Sequence, residues 1–156
     1  MRAGSPLELR VPPLAVALIA ALLMWMLARR TPRLDGVTHW RLVAAVLLLA
    51  VGVLVAVAGV LEFHRAHTTV NPTKPEAASS MVCSGIYRHT RNPMYLGMLF
   101  ALAAWAVWLA SLAAFAVLPA FVLYMNRLQI KPEERVLAGL FASEFAAYRR
   151  SVRRWL

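Results

Sequence analysis

The residues best suited to chemistry lie in one polar segment, residues 84–97, with the sequence SGIYRHTRNPMYLG. Arginine, asparagine and tyrosine side chains can together bind carboxylate, hydroxyl and amide groups. A second polar group follows residue 126 and contains the acidic pair Glu133 and Glu134. The two groups are separated by an uncharged stretch, so they meet in one site if that stretch returns to the side from which it started.

Each of these residues also has a routine explanation in a membrane protein. Arg88 and Arg91 stand before an apolar run, where basic residues anchor a helix on the inner side of the membrane. Tyr87 and Tyr95 are typical of the aromatic belt at an interface. The acids after Pro132 are favourable at the start of any helix. Residue types alone therefore leave both readings open.

The composition indicates an integral membrane protein. The 156 residues are 61% hydrophobic and have a mean hydropathy of +0.63, which excludes an ordinary soluble domain. Three runs carry no charge: residues 11–28, 42–61 and 92–126, of 18, 20 and 35 residues. A membrane-spanning helix needs about 20 residues, so the first two runs each fit one helix.

The third run is too long for one helix, because 35 residues would extend about 52 Å against a hydrocarbon core of about 30 Å. We interpret it as a helical hairpin, 94–109 and 112–126, that turns near Ala110 and Ser111. One long helix kinked at Pro119 is the alternative. The predicted fold class is an all-α integral membrane protein with about four transmembrane helices, the last two a tight hairpin, and a cytoplasmic amphipathic C-terminal helix.

The basic residues predict the orientation. With four spans and both termini inside, 13 arginines and lysines lie in the cytoplasm and four lie outside; three spans also leave the tail inside. We expect one membrane domain over residues 1–156 in a bacterial inner membrane, with an uncleaved first helix. Loop 62–93 and tail 127–156 would form the cytoplasmic site. The net charge of +10 indicates contact with a membrane surface and no nucleic-acid partner.

Two helices carry further patterns. Small residues on one face of the second helix, Ala45, Gly52, Ala56 and Gly59, would let a neighbouring helix approach closely. In the tail, Pro132 and the acids that follow it predict a helix start. Apolar residues then recur at helical spacing, with arginines between them, which predicts one basic amphipathic helix that docks on the inner leaflet or on the bundle. This apolar stripe comprises Leu137, Phe141, Phe145, Tyr148, Val152 and Trp155.

The two polar groups resemble the isoprenylcysteine carboxyl methyltransferase and phospholipid methyltransferase-like superfamily. Its pattern is Gly-x-Tyr, then Arg-His-Pro-x-Tyr-x-Gly entering a helical hairpin, then Arg, Glu-Glu-x-x-Leu and acid-aromatic-x-x-Tyr. Residues 70–155 follow that order. The family histidine is Asn92 here, so a base at this position is not available. The matching positions are Gly85, Tyr87, Arg91, Pro93, Tyr95, Gly97, Arg127, Glu133, Glu134, Leu137, Glu144, Phe145 and Tyr148.

The resemblance implies methyl transfer from S-adenosyl-L-methionine to a hydrophobic small-molecule or lipidated acceptor, whose nucleophile is a carboxylate, an amine or a thiol. Arg91 and Glu134 are expected at the reacting centre, and Arg88 or Arg127 could pair with the cofactor carboxylate. No metal site is expected. The expected cofactor-binding residues are Tyr87, Arg88, Asn92, Pro93, Tyr95, Leu96, Arg127, Glu133, Glu134 and Tyr148.

Two other classes of protein fit the composition less well. A small transporter or channel needs an ionisable group within a span, and none of the three uncharged runs has one. A membrane haem protein needs histidines on facing helices, whereas His39, His64, His67 and His89 lie in predicted loops or at helix ends. The identity of the acceptor and the oligomeric state are left open by the sequence.

Overall fold

The computed structural model describes residues 8–34, 38–66 and 80–156, and these residues are helical with short connections. The 3₁₀ turn Gly85–Arg88 precedes α3, and the π-helical segment Asn126–Ile130 joins α5 to α6. The all-α class is therefore confirmed for the described residues. The α-helices are α1 (Pro13–Ala28), α2 (Thr38–Arg65), α3 (Pro93–Leu109), α4 (Leu112–Phe115), α5 (Val117–Met125), α6 (Lys131–Leu140) and α7 (Ala142–Ser151).

Helix α3 lies at the centre of the bundle, with α2 on one side and α1, α4 and α5 on the other. Met24 of α1, Ala106 of α3 and Met125 of α5 are fully buried in the shared core. Helix α2 packs on α3 and on the 3₁₀ turn, and much of its apolar surface is exposed. By length and composition, two helices among the described residues could cross a membrane, His39–Arg65 and Leu112–Leu140, while α1 and α3 are shorter apolar helices.

The predicted hairpin between α3 and α4 is present, and a single kinked helix is excluded. Ala110 adopts the left-handed conformation with φ of 51°, which ends α3 and reverses the chain. The turn is attached to the connection after α1: the Leu34 amide donates to the Ala110 carbonyl at 2.7 Å, and the Thr31 and Ser111 hydroxyls lie 2.8 Å apart. Pro119 has a local effect only, since α4 and α5 meet at a break at Ala116.

The bundle therefore has two ends. We call the one that carries the start of α3 and the C-terminal residues the site end. The far end carries the connection after α1 and the turn at Ala110 and Ser111. The 17 residues of α3 connect the two ends over about 25 Å.

The helix start predicted at Pro132 is wrong in one respect. Pro132 lies in the first turn of α6, but α6 continues from α5 through the π segment. A proline inside a helix leaves the carbonyl four residues earlier without its usual donor. That carbonyl belongs to Leu128, and it accepts the Leu9 amide at 3.1 Å instead. The Gln129 side chain donates to the Val11 carbonyl at 2.6 Å, so the start of the described chain is attached to the π segment.

The single amphipathic tail helix is also wrong. Phe141 leaves the helical conformation, with φ of −123° and ψ of 33°, and separates α6 from α7. Helix α7 ends at Ser151, and Val152 is extended. The apolar spacing continues across Phe141 without a gap, which is why the periodicity alone suggested one helix. The change of direction at Phe141 allows α7 to bury Phe145.

The small face predicted on α2 contacts α3 through glycine. A methyl group added to Gly97 would lie 2.6 Å from the Gly52 carbonyl oxygen and 2.8 Å from the Ala56 methyl group. Both distances are shorter than van der Waals contact, so the two backbones can approach this closely only with glycine at these positions. This contact fixes α2 beside the start of α3.

We expect Gly97→Ala to lower the free energy of unfolding by about 1–3 kcal/mol, because the added methyl group would force the two helices apart. Gly139→Ala is the matched control, since Gly139 is also helical and a methyl group there meets nothing within 4 Å. The control should raise stability by about 0.5–1 kcal/mol through helix propensity. Thermal unfolding of both variants in detergent provides the measurement, and equal effects would contradict the contact.

Candidate active site

The polar segment 84–92 is held against the end of α2 by Glu62. The carboxylate of Glu62 accepts hydrogen bonds from the Ser84 hydroxyl and, at 2.7 Å, from Arg65 Nη1. Gly85 follows with φ of +54°, and a methyl group there would lie 2.5 Å from the Glu62 carboxyl carbon. Only glycine fits both the conformation and the space. The following Tyr87 is buried and packs edge-on against Phe63.

Glu134 binds two arginines. One of its carboxylate oxygens accepts a hydrogen bond from Arg91 Nη2 at 2.8 Å, and it also accepts one from Arg154 Nε at 3.1 Å. The other oxygen accepts one from Arg154 Nη2 at 2.6 Å. The Arg91 and Glu134 side chains are only 10% and 12% exposed, so this network is largely removed from water. It joins three separate segments: the start of α3, α6 and the chain terminus.

The C-terminal segment, residues 152–156, runs along the start of α3. The Arg91 amide donates to the Arg153 carbonyl at 3.0 Å, and the Arg91 guanidinium donates to the carbonyl of Val152 at 2.7 Å. The Asn92 side-chain amide donates to the Arg154 carbonyl at 2.9 Å. The Asn92 side chain makes no capping bond at the start of α3 and binds this segment instead.

Two tyrosine contacts complete the junction between the polar groups. The Tyr95 hydroxyl donates to Oε1 of Glu133, and the Tyr148 hydroxyl donates to the Tyr87 carbonyl at 2.7 Å. Burial raises the pKa of the Tyr87 and Tyr148 phenols well above their usual value. Both side chains therefore stay neutral over the physiological range, and Tyr148 remains a hydrogen-bond donor.

Most of the residues predicted for the site are brought together at the site end. Pro93 and Leu96 are buried in the first turn of α3, beneath the polar side chains. Arg88 and Arg127 are exceptions, because both are exposed and neither makes a hydrogen bond or ion pair with a described residue. The residues that meet are Tyr87, Arg91, Asn92, Pro93, Tyr95, Leu96, Glu133, Glu134 and Tyr148.

Glu134, which is expected at the reacting centre, differs from Glu133 in the bonds that it makes. Both of its oxygens are engaged by arginines, so it holds Arg91 in place and has less capacity for a ligand than its neighbour. Glu133 has one oxygen bonded to Tyr95, and its other oxygen has no partner among the described residues. Of the two acids, Glu133 is the better candidate for contact with a ligand.

Two residues of the junction, Arg154 and Thr90, were not predicted from the sequence. Arg154 was predicted only as one of the arginines of an amphipathic helix that docks on the inner leaflet or on the bundle, yet it makes two bonds to Glu134. Thr90 is 1% exposed; its hydroxyl donates to the Arg154 carbonyl and accepts the Asn92 amide. No local signal identified Arg154, because its partner Glu134 lies on a different segment of the chain. Thr90 has one local partner, the Asn92 amide, and one remote partner, the Arg154 carbonyl. One general hint was available for Arg154. Arginine can bind both oxygens of a carboxylate in parallel, so an arginine in the tail was a possible partner for an acid.

The residues present fit the charged groups of S-adenosylmethionine, which ends in a carboxylate and an ammonium group. Nε of Arg91 is a buried donor without a hydrogen-bond partner among the described residues, which suits a carboxylate. The unpartnered oxygen of Glu133 is an acceptor that suits an ammonium or a ribose hydroxyl. The two groups lie in the same junction, since Arg91 binds the residue that follows Glu133.

We expect Arg154→Gln to destabilise the site end by about 1–3 kcal/mol, because Glu134 would keep only one cation in a partly buried position. Arg153→Gln is the matched control: it removes the same charge one residue earlier from an exposed side chain. Unfolding in detergent and limited proteolysis of the tail measure the effect. Equal stability of the two variants would show that the contact with Glu134 contributes little.

Comparison with known proteins identifies the family. The phospholipid methyltransferase family profile matches residues 40–144, about two thirds of the chain, and includes Arg91, Glu133 and Glu134 but ends before Arg154. An uncharacterised protein of Haemophilus influenzae is 41% identical over 63 residues, which are 40% of this chain and the whole of that protein. No solved structure matches the chain. The chain therefore belongs to the phospholipid methyltransferase family, which makes it a membrane-associated methyltransferase.

Proposed function

We propose that this protein transfers a methyl group from S-adenosyl-L-methionine to a hydrophobic or lipid-like acceptor at the site end. The observation that supports this most directly is the pair of groups with spare bonding capacity in one junction, the buried Nε of Arg91 and the second oxygen of Glu133. Both residues lie inside the stretch that matches the methyltransferase family.

In this proposal Arg91 binds the carboxylate of the cofactor, and Glu133 binds its ammonium group or a ribose hydroxyl. Glu134 and Arg154 act as positioning residues, because they hold the Arg91 guanidinium in one orientation. Tyr95 fixes the Glu133 carboxylate in the same way. The remaining wall is formed by Tyr87, Asn92, Pro93, Leu96 and Tyr148.

When bound, the cofactor would supply an electrophilic methyl group on a sulfonium, which an acceptor nucleophile would take with S-adenosylhomocysteine as the leaving group. The protein's task is to hold the two reactants in line, and such positioning can account for a large part of a rate enhancement. A carboxylate or thiolate acceptor needs no base. An amine acceptor must be in its neutral form to react. Asn92 in the histidine position of the pattern agrees with a reaction that does not use a base there.

The acceptor would reach the site from the membrane. Of the apolar helices, α3 begins and α5 ends towards the site end, so a hydrophobic molecule could enter from the lipid while the cofactor enters from water. We place the site end and both termini in the cytoplasm of a bacterial cell, since the basic residues of loop 62–93 and of the tail are concentrated there. Lipids with a carboxylate, an amine or a thiol all fit this arrangement.

Calorimetric titration of the detergent-purified protein with S-adenosylhomocysteine tests the proposal. We expect binding, and we expect Glu133→Gln to weaken it at least tenfold, because the variant loses a charged contact of about 1.5–3 kcal/mol. Glu144→Gln is the matched control, as Glu144 is an exposed acid of the same tail. Affinity that is equal in wild type and Glu133→Gln would contradict the assignment of Glu133.

The same titration distinguishes the arginines. Arg91→Gln should weaken binding strongly, whereas Arg88→Gln and Arg127→Gln should change it less than twofold, because those two side chains are exposed and outside the junction. Circular dichroism and gel filtration show whether each variant is folded. A larger effect from Arg88 or Arg127 than from Arg91 would move the carboxylate contact away from the position proposed here.

A further inference from the structure

The far end contains a cavity that the proposed methyl transfer does not use. It has a volume of about 410 Å³ and lies between the end of α1, the connection that follows it and the end of α3. Because α3 extends about 25 Å between the two ends, this cavity is separate from the junction at Arg91 and Glu134. Its lining residues are Trp25, Ala28, Arg29, Thr31, Arg33, Trp105, Trp108 and Leu109.

The walls of the cavity are held by bonds that fix its shape. Trp105 donates its indole N–H to the Ala21 carbonyl at 3.0 Å, which fixes that ring between α1 and α3. Thr31 is bonded to the Leu27 carbonyl at 3.0 Å and lies against Ser111 in the hairpin turn. The connection that carries both arginines is thus attached to α1 and to the hairpin turn.

The polar side of the cavity is cationic. Arg29 places its guanidinium 4.9 Å from the centre of the Trp25 ring, a cation–π stack that covers one face of the planar group. The N–H groups of a stacked guanidinium point outward in its plane and can still bind an anion. Among the described residues that line the cavity none is acidic, and neither Arg29 nor Arg33 makes an ion pair with a described residue.

The other side of the cavity is aromatic and partly exposed. Trp25 and Trp108 are 40% and 50% exposed, and both lie at the ends of apolar helices. Indole rings at such positions are typical of the level where lipid headgroups begin. A ligand that satisfies two arginines and lies along exposed indoles needs an anionic group joined to an apolar body.

We propose that this cavity binds the phosphate of a phospholipid from the leaflet at the far end. Arg29 and Arg33 bind the phosphate oxygens, and the acyl chains lie along Trp108 and the apolar surface of α1. A planar guanidinium matches phosphate with two parallel hydrogen bonds, which a single ammonium cannot do. The site holds a resident lipid and is independent of the methyl acceptor at the site end.

The test is a titration of the detergent-purified protein with short-chain phosphatidylglycerol, followed by intrinsic tryptophan fluorescence and by native mass spectrometry. We expect saturable binding of one lipid. Arg29→Gln combined with Arg33→Gln should weaken it at least tenfold, and Trp108→Ala should weaken it less. Arg30→Gln is the matched control, because Arg30 carries the same charge in the same connection but does not line the cavity.

Two further ligands identify what is recognised. Diacylglycerol of the same chain length lacks the phosphate and should bind at least tenfold more weakly. Glycerol phosphate lacks the acyl chains and should compete only at millimolar concentration. Equal binding of either compound, or an equal loss in Arg30→Gln, would overturn the proposal. Glu133→Gln should leave lipid binding unchanged, so the result stands apart from the outcome of the cofactor titration.

Discussion

The site end depends on one buried carboxylate that is shared by two arginines. Removing Glu134 and Arg91 from water is costly, and the attraction between them offsets that cost only when every charged group is well bonded. Arg154 supplies the second cation, and main-chain carbonyls of Arg149 and Val152 occupy another nitrogen of Arg91. Because these partners come from three distant segments, the network cannot form until the hairpin has closed and the chain terminus has returned to α3.

The path of the chain through the hairpin explains why the polar junction lies at the site end. The hairpin of α3, α4 and α5 returns the chain to the start of α3, and the π segment then carries α6 onward without a loop. A π segment widens the helix by one residue per turn and alters the direction in which later side chains point. In this chain it ends at Ile130, shortly before Glu133 and Glu134. Its Leu128 carbonyl and Gln129 side chain are hydrogen-bonded to the residues that precede α1. The N-terminal residues, the hairpin and the tail therefore converge on one short stretch.

The sequence was informative where a rule acts over a few neighbouring residues. The uncharged run of 35 residues was too long for one span and favoured a reversal near Ala110 and Ser111 over one long kinked helix, and the structure has that reversal. The small face of α2 predicted a close helix contact, and Gly52 and Gly97 provide it. The meeting of Tyr95 with Glu133 also followed from the hairpin, because a reversal brings its two ends together.

Prediction failed where the decisive partner was remote. An apolar repeat that runs unbroken across Phe141 contains no sign of the break there, since both α6 and α7 satisfy the same spacing. By residue type, Arg154 is a surface residue like its neighbour Arg153. The two differ in that only Arg154 lies beside Glu134. Likewise, an acid at the start of α6 could equally have been exposed; only the positions of Arg91 and Arg154 show that Glu134 is bonded and Glu133 is available.

The lengths of α1 and α3 have a consequence for the surrounding lipid. Helix α1 has 16 residues and α3 has 17, so they extend about 24 Å and 26 Å, less than the 30 Å or so of a typical hydrocarbon core. Prolines fix where both helices begin, and the left-handed Ala110 fixes where α3 ends, so α3 cannot lengthen to match the bilayer. A hydrophobic helix shorter than the hydrocarbon core is accommodated by local thinning of the bilayer or by flanking side chains that reach the interface, so we expect lipid headgroups to approach both ends of α1 and α3.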